Sequence, residues 1–142
     1  MLAVAISPDG NLIASSGYRE VLLWNAADGQ LVRRIPNLAE RPHDIEFTAN
    51  GQQIIVAAGT PGQMGEVKIF NVADAALVAD LFTTDDEVFS IALNADGSRL
   101  AASCADRSVR VFDMATRKQQ LFVEDHAEGQ RQHAEENPGE AA

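Results

Sequence analysis

The sequence predicts an all-β fold made of three consecutive units, each with four antiparallel strands. Each unit has Asp-Gly or Asn-Gly in the turn after its first strand, and the glycines of these turns are Gly10, Gly51 and Gly97. They lie 41 and 46 residues apart. An aromatic residue followed by Asn or Asp ends the third strand of each unit, at Trp24-Asn25, Phe70-Asn71 and Phe112-Asp113. A four-stranded unit repeated about every 40–45 residues is typical of a β-propeller blade.

Three blades are too few for a closed propeller, because propellers typically close with about 4–8 blades. We therefore expect an incomplete ring that either belongs to a larger protein or associates with itself to close. The predicted boundaries are residues 1–36 for blade 1, 37–82 for blade 2, 83–124 for blade 3 and 125–142 for a tail.

Apolar runs place the strands of each unit in the same order. In the first unit they fall at residues 1–6, 12–16, 21–24 and 31–35. In the second they fall at residues 45–47, 54–57, 67–70 and 77–81, and in the third at 88–93, 100–104, 109–112 and 121–123. The third strand of the first unit is apolar on both faces, as expected for a strand that lies between two neighbouring layers.

The turns between strands have their own signals. A tight hairpin needs a positive φ, which glycine adopts without steric cost, and Asp or Asn before it can bond to the local backbone. Asp28-Gly29 fits this pattern after the third strand of the first unit. Asp74-Ala75 occupies the corresponding place in the second unit, and its lack of glycine predicts a different turn type there.

Charge and composition exclude several classes of partner. The 142 residues contain 21 Asp and Glu against 11 Lys and Arg, for a formal net charge of −10. This balance argues against binding to nucleic acid or to anionic membrane surfaces, both of which need basic patches. One cysteine permits no intrachain disulfide, and the N-terminus shows no signal-peptide pattern. The compartment stays open, with a slight preference for the cytoplasm.

The C-terminal segment differs from the rest of the chain. Residues 124–142 contain six carboxylates and one Arg, and they lack aromatic and β-branched residues. A segment with so few groups to bury is predicted to be a solvated, disordered tail.

Two stretches resemble the WD-repeat family of β-propellers. Residues 100–113, Leu-Ala-Ala-Ser-Cys-Ala-Asp-Arg-Ser-Val-Arg-Val-Phe-Asp, resemble the second half of a WD-repeat blade, and residues 4–10 resemble the first half. The resemblance recurs three times over residues 1–125. It implies a scaffold that binds protein partners, and a partial propeller of a larger bacterial protein. The alternative is a propeller module of a larger multidomain enzyme or redox protein.

The resemblance also implies a hydrogen-bond relay that this chain keeps only in part. In the family the relay joins a His, a Ser or Thr, an Asp and a Trp within one blade. Here Trp24 and Asp106 match two of these positions but lie in different units, and phenylalanine replaces tryptophan at Phe70 and Phe112. Phenylalanine has no N–H to donate. We therefore expect the blades to depend on apolar packing.

Residues with catalytic or metal-binding chemistry do not form a recognisable motif. His43 has no second histidine at metal-ligand spacing, and Cys104 lies on an apolar strand where a buried hydrophobic role is expected. The acidic run Asp85-Asp86-Glu87 is interpreted as a solvated loop. We predict that the chain is not an enzyme and that it uses no cofactor and no metal.

The candidate binding residues lie in loops at one rim of the blades. In a propeller, the loop between the second and third strands lies on the same rim as the segment that enters the first strand. Arg and Tyr are favoured at protein interfaces. Arg19, Arg41 and Arg107 are predicted at or near equivalent loop positions. The alternative is that these are ordinary surface loops in which each Arg pairs with a neighbouring acid, such as Glu20, Glu40 or Asp106. The predicted partner-binding residues are Tyr18, Arg19, Arg41, His43, Gln63, Asp86 and Arg107.

Overall fold

The strands are arranged as three antiparallel sheets. The structure is a computed structural model that describes the backbone of residues 3–126 and 129–133 and the side chains of residues 3–124. Blade 1 contains β1 (Val4–Ile6), β2 (Leu12–Gly17), β3 (Glu20–Asn25) and β4 (Leu31–Ile35). Blade 2 contains β5 (Arg41–Phe47), β6 (Gln53–Thr60), β7 (Met64–Asn71) and β8 (Leu77–Thr84). Blade 3 contains β9 (Val88–Leu93), β10 (Arg99–Cys104), β11 (Ser108–Asp113), β12 (Lys118–His126) and β13 (Gly129–His133).

Each strand pairs with the next one in the chain, so every blade is a simple meander. The first strand of blade 2, β5, contacts both β1 and β9, and this contact places the three blades side by side in an unclosed arc. The described residues contain no helix. The all-β fold with three consecutive blades is therefore confirmed.

The end of blade 3 differs from the predicted disordered tail. Strand β12 continues to His126, and β13 pairs with it from Gly129 to His133, which gives this sheet a fifth strand. The prediction of a tail from residue 125 is therefore wrong for residues 125–126 and 129–133. The backbone hydrogen bonds of the ladder hold these residues, although they offer few apolar side chains. The rest of the predicted tail lies outside the described residues.

The first turn of each blade has the geometry that its glycine predicts. Gly10, Gly51 and Gly97 have φ angles of +77°, +72° and +74°. In blade 1, the Gly10 amide donates to the Ser7 carbonyl over 2.9 Å. The Asp9 carboxylate accepts from the Ser7 hydroxyl and the Asn11 amide, over 2.7 and 2.9 Å. The bond from the Asn11 amide, followed by that from Ser7, lowers the pKa of Asp9.

The turn after β7 is a correction to the sequence analysis. Ala75 has a φ of +62°, and its amide donates to the Asn71 carbonyl over 2.9 Å. Gly29 in blade 1 has a φ of +74° and makes the equivalent bond to Asn25 over 2.8 Å. The two turns are therefore alike, and alanine holds a left-handed conformation that glycine would adopt without steric cost.

Two apolar clusters join the blades in pairs. One packs Ala14, Val21 and Leu23 of blade 1 against blade 2, and it includes Ile45 and Phe70. The other packs the opposite face of blade 2 against blade 3, through residues that include Ile55, Val67, Ile91, Leu100 and Phe112. Blade 2 is therefore buried on both faces, whereas blades 1 and 3 each have one such face.

The predicted relay is partly present. The Trp24 indole donates to the Ser15 hydroxyl over 2.9 Å, so strands β2 and β3 of blade 1 keep this link. In blade 3 the phenylalanine at the equivalent position packs instead, with the Phe112 ring stacked on that of Phe82 at a centroid distance of 4.6 Å. Aromatic packing thus takes the place of the indole hydrogen bond there.

Candidate functional site

Backbone hydrogen bonds assemble one rim of the arc from loops that are far apart in sequence. We call residues 18–19, 36–41, 60–64, 85–87 and 105–107 the rim. The Arg19 amide donates to the Glu40 carbonyl, and the Leu38 amide donates to the Arg19 carbonyl, both over 3.1 Å. These bonds tie the β2–β3 loop of blade 1 to the segment that leads into blade 2.

A similar arrangement joins blades 2 and 3. The Gly62 amide, in the β6–β7 loop, donates to Oδ1 of Asp86 over 3.1 Å. The Ala105 amide, in the β10–β11 loop, donates to the Glu87 carbonyl over 2.8 Å. The loops predicted to share a rim therefore do so, and they are held by fixed contacts.

Tyr18 and Arg19 form the most exposed aromatic site on the rim. The Tyr18 side chain is 70% exposed. The guanidinium carbon of Arg19 lies 5.4 Å from the Tyr18 ring centroid, and one guanidinium nitrogen lies 3.5 Å from Oε1 of Glu40. The hydrogen bond with Tyr18, followed by charge interaction with it, raises the pKa of Arg19. An exposed ring with a cation beside it is a common kind of interface anchor.

The three predicted arginines are not at equivalent positions. Arg19 and Arg107 both have left-handed backbones, with φ angles of +61° and +67°, and the third such residue in these loops is Gly62, with φ +69°. Arg41 instead begins β5, where it pairs with Gly59. All three arginine side chains are exposed. Among the described residues, the side chains of Arg41 and Arg107 make no hydrogen bond or ion pair.

His43 lies between blades and is mostly buried. It is the extra residue at a bulge in β5, where the register with β6 shifts between Pro42 and Asp44. Its Nε2 is 2.7 Å from Oε1 of Glu87, and the two side chains are only 14% and 10% exposed. Its ring also forms a T-shaped contact with that of Phe89, at a centroid distance of 5.1 Å. This predicted rim residue therefore faces the blade 2–blade 3 junction, where it offers a partner little surface.

Glu87 corrects the interpretation of the acidic run as a solvated loop. Asp85 is exposed, but Glu87 is buried at 7% exposure. Asp86 lies between these extremes, and its Oδ1 accepts from both the Gly62 and the Glu87 amides. Asp86 therefore holds the β6–β7 loop in place, and Gln63 is left exposed at the tip of that loop.

A second buried acid was missed by the sequence analysis. Glu66 on β7 is 5% exposed, and its Oε2 accepts from the Ala39 amide over 2.9 Å. Its Oε1 lies 3.5 Å from Nζ of Lys68. A strand-spaced Glu-Val-Lys gives no sequence signal for this role, because the amide that Glu66 satisfies lies 27 residues earlier, in the segment that leads into blade 2.

The described residues contain neither a cluster of metal-binding side chains nor a membrane-spanning helix. They contain no group of three His, Cys, Asp or Glu residues able to hold a metal ion. Over the same part of the chain, no helix is long and apolar enough to span a membrane. Cys104 is buried as predicted, and burial raises the pKa of its thiol, so that the reactive thiolate is disfavoured.

Comparison with known proteins identifies the family. The family model described as "WD domain, G-beta repeat" matches residues 1–25 and 77–113. These two segments contain the first turn of blade 1 and of blade 3, and the aromatic strand ends Trp24-Asn25 and Phe112-Asp113. The chain is also 31% identical over 122 residues to the small ribosomal subunit protein RACK1 of Candida albicans. The chain belongs to the WD-repeat β-propeller family. The WD-repeat resemblance is therefore confirmed.

This WD-repeat chain spans only part of its relatives. The match to RACK1 covers 80% of the chain but 37% of that relative. Among solved structures, U3-55K aligns with a TM-score of 0.77 at 17% identity, over 89% of this chain and 39% of that one. Hydrazine synthase of Kuenenia stuttgartiensis aligns with a TM-score of 0.74 at 20% identity, over 95% and 38%. At these identities the two structures show the likeness of fold alone.

Proposed function

We propose that this WD-repeat chain is a non-catalytic scaffold that binds protein partners through its rim. The observation that carries the proposal is the set of exposed Tyr18, Arg19, Arg41 and Arg107 side chains on loops fixed by backbone hydrogen bonds. Fixed loops lose little conformational freedom when a partner binds, so more of the contact energy remains as affinity. The relative named a small ribosomal subunit protein belongs to a large assembly, which supports a scaffold role.

The chemistry of the rim favours a partner with exposed carboxylates and backbone carbonyls. Guanidinium groups donate several hydrogen bonds in a fixed planar arrangement that suits such acceptors. Arg41 and Arg107 have these donors available, and Arg19 presents its guanidinium beside an exposed ring. Glu40 and Asp85 lie on the same rim, so its charge is mixed, and a partner with basic groups between its acidic ones would complement it.

Replacing Arg19, Arg41 and Arg107 together with Ala tests the proposal. Because these side chains are exposed, we expect a nearly unchanged melting temperature and a large loss of partner proteins captured from source lysate. The matched control replaces Arg99, Arg117 and Lys118 with Ala. These residues are also exposed and lie near the turns at the opposite rim, and their replacement removes the same amount of positive charge. Identical captured proteins from the wild type and the rim variant would contradict the proposal, as would an equal loss in the control.

A further inference from the structure

The two outer faces of the arc carry ordered rows of uncharged side chains. In blade 1, Val4 pairs with Ser15 and Ile13 pairs with Trp24, so that these residues share the face turned away from blade 2. We call Val4, Ile6, Ile13, Ser15 and Trp24 the leading face. In blade 3, Ser103 pairs with Ser90 and Val109, and Ala101 pairs with Ala92 and Val111. We call these six residues the trailing face.

Strand register shows what the leading face corresponds to in the other blades. Val4 opposes Ser15, Ile45 opposes Val56, and Ile91 opposes Ala102 at the same place in each meander. Ile45 and Ile91 are 1% and 4% exposed because the preceding blade covers them, whereas Val4 is 64% exposed. Ile6 is likewise 65% exposed. The leading face therefore repeats the pattern of a surface that is buried in both other blades.

The trailing face likewise corresponds to surfaces that are buried in the other two blades. Val109 on β11 opposes Ser103, as Val21 opposes Ser16 and Val67 opposes Ala57. Val21 and Val67 are fully buried by the following blade, whereas Val109 is 41% exposed. The trailing face is thus the counterpart of the two surfaces that each receive a next blade.

The two faces differ in the size of their side chains, with small residues on the trailing face and bulky ones on the leading face. Blade 1 presents small Ala14 to the bulky Ile45 and Phe70 of blade 2. The trailing face is small in the same way, with a shallow cavity of about 140 Å³ lined by residues that include Ala92, Ala101 and Ser103. The leading face offers Val4, Ile6 and Trp24 as the bulky counterpart. None of these residues is ionisable, but strand register places charged pairs beside them. Arg34 and Glu20, 3.1 Å apart, lie on the leading side of blade 1, and Arg99 lies opposite Asp113 on the trailing side of blade 3.

We propose that a second copy of this chain covers both faces, with the leading face of each copy packed on the trailing face of the other. Two copies supply six blades, within the range of about 4–8 at which propellers close. The contact is head to tail, because each chain carries one face of each kind, and two such contacts related by a twofold axis close the ring. Uncovered apolar faces of this kind favour association in water.

Mass in solution, measured by light scattering over a concentration series, tests this arrangement. We expect the full chain to have about twice its monomer mass of 15.2 kDa. Val4→Asp and Val109→Asp each place a charge in both contacts, and each should weaken association roughly tenfold or more. Tyr18→Asp is the control, because this residue is also exposed but lies on the rim, outside both faces, and it should leave the mass unchanged. Circular dichroism should show the same β-sheet spectrum for all variants.

Mixing the two variants separates head-to-tail contact from contact between like faces. Val4→Asp keeps an intact trailing face and Val109→Asp an intact leading face, so that the mixture should recover a one-to-one pair. Several results would overturn the proposal: a wild-type monomer at every concentration, a mass that grows beyond two copies, or normal association of either variant alone.

Discussion

At the scale of single residues, several turns hold a residue other than glycine at a position with a positive φ angle. Five residues other than glycine hold positive φ angles among those described: Arg19, Asn37, Ala75, Arg107 and Arg117. Arg19 and Arg107 lie at the loop position that Gly62 has in blade 2, and Ala75 lies at the position that Gly29 has in blade 1. Such conformations cost roughly 1–2 kcal/mol for an L-residue, so that hydrogen bonds in the turn must compensate for the strain.

Ala75→Gly should stabilise the protein. The substitution relieves the left-handed strain at φ +62°, although glycine gains entropy in the unfolded chain, so that the net increase in unfolding free energy is about 0.5–1 kcal/mol. Ala73→Gly is the control, because Ala73 is exposed in the same turn and has no positive φ. Chemical denaturation measures both. A loss of stability in Ala75→Gly equal to that in Ala73→Gly would contradict the strain at this turn.

Asp106 should make the stability of the fold depend on pH in the acidic range. Burial raises its pKa, but the side-chain and amide hydrogen bonds from Ser108 and the charge of Arg110 outweigh burial and lower the pKa below 3.8. A lowered folded-state pKa means that this carboxylate stabilises the fold above about pH 4 and that the stabilisation is lost as pH falls through the folded value.

Asp106→Asn tests this pH dependence, because it keeps one acceptor oxygen and removes the charge. We expect it to cost about 0.5–1 kcal/mol at pH 7, since a charged hydrogen bond becomes a neutral one. The gap between wild type and variant should narrow below about pH 4. Asp85→Asn is the control, because that exposed side chain makes no hydrogen bond within the described residues. A gap that stays constant from pH 7 to pH 3 would show that the charge does not matter.

At the scale of elements, the junction of blades 2 and 3 depends on a buried polar pair as well as on apolar packing. The bulge in β5 turns His43 toward Glu87, the residue just before β9, with 2.7 Å between Nε2 and Oε1. The close approach of Gly59 supports this arrangement. A Cβ on Gly59 would lie 2.6 Å from Cγ of Glu87, so that only glycine leaves room for the acid there.

A double-mutant cycle of His43→Ala and Glu87→Ala should reveal strong coupling. Each single change leaves a buried polar partner unsatisfied and should cost about 2–3 kcal/mol, and the coupling should be about 1 kcal/mol or more. The reference pair is Arg34 and Glu20, which lie 3.1 Å apart with the Arg34 side chain 58% exposed. Its coupling should be about 0.5 kcal/mol or less. If the effects of the two changes are additive, the His43–Glu87 contact does not stabilise this junction.

The strands themselves could be predicted from the sequence, but their irregularities could not. Runs of apolar residues placed all twelve strands of the three meanders, because the apolar residues are those that each blade buries. The same signal missed residues 41–44 at the start of β5, where charged residues and a bulge precede the apolar run. It also missed β13, because residues 129–133 contain no apolar run.

At the scale of the whole molecule, the sequence predicted which loops form the rim, but it did not predict the contacts between their residues. Propeller topology alone places the loops together, and the structure agrees. Which side chains remain available depends on partners more than 20 residues away, as for Arg19 with Glu40 and Gly62 with Asp86. The burial of His43 could not be predicted, because it arises from the neighbouring blade and leaves no local sequence signal.

Site-specific photo-crosslinking tests the central claim, that the rim is the surface that binds partners. A photoreactive phenylalanine analogue is placed at Tyr18 or Arg107 on the rim, and at Asn50 or Asp96 in the exposed turns of the opposite rim. We predict that positions 18 and 107 crosslink the same partner protein after illumination in source lysate, and that positions 50 and 96 do not. Crosslinks to a partner only from positions 50 and 96 would contradict the claim.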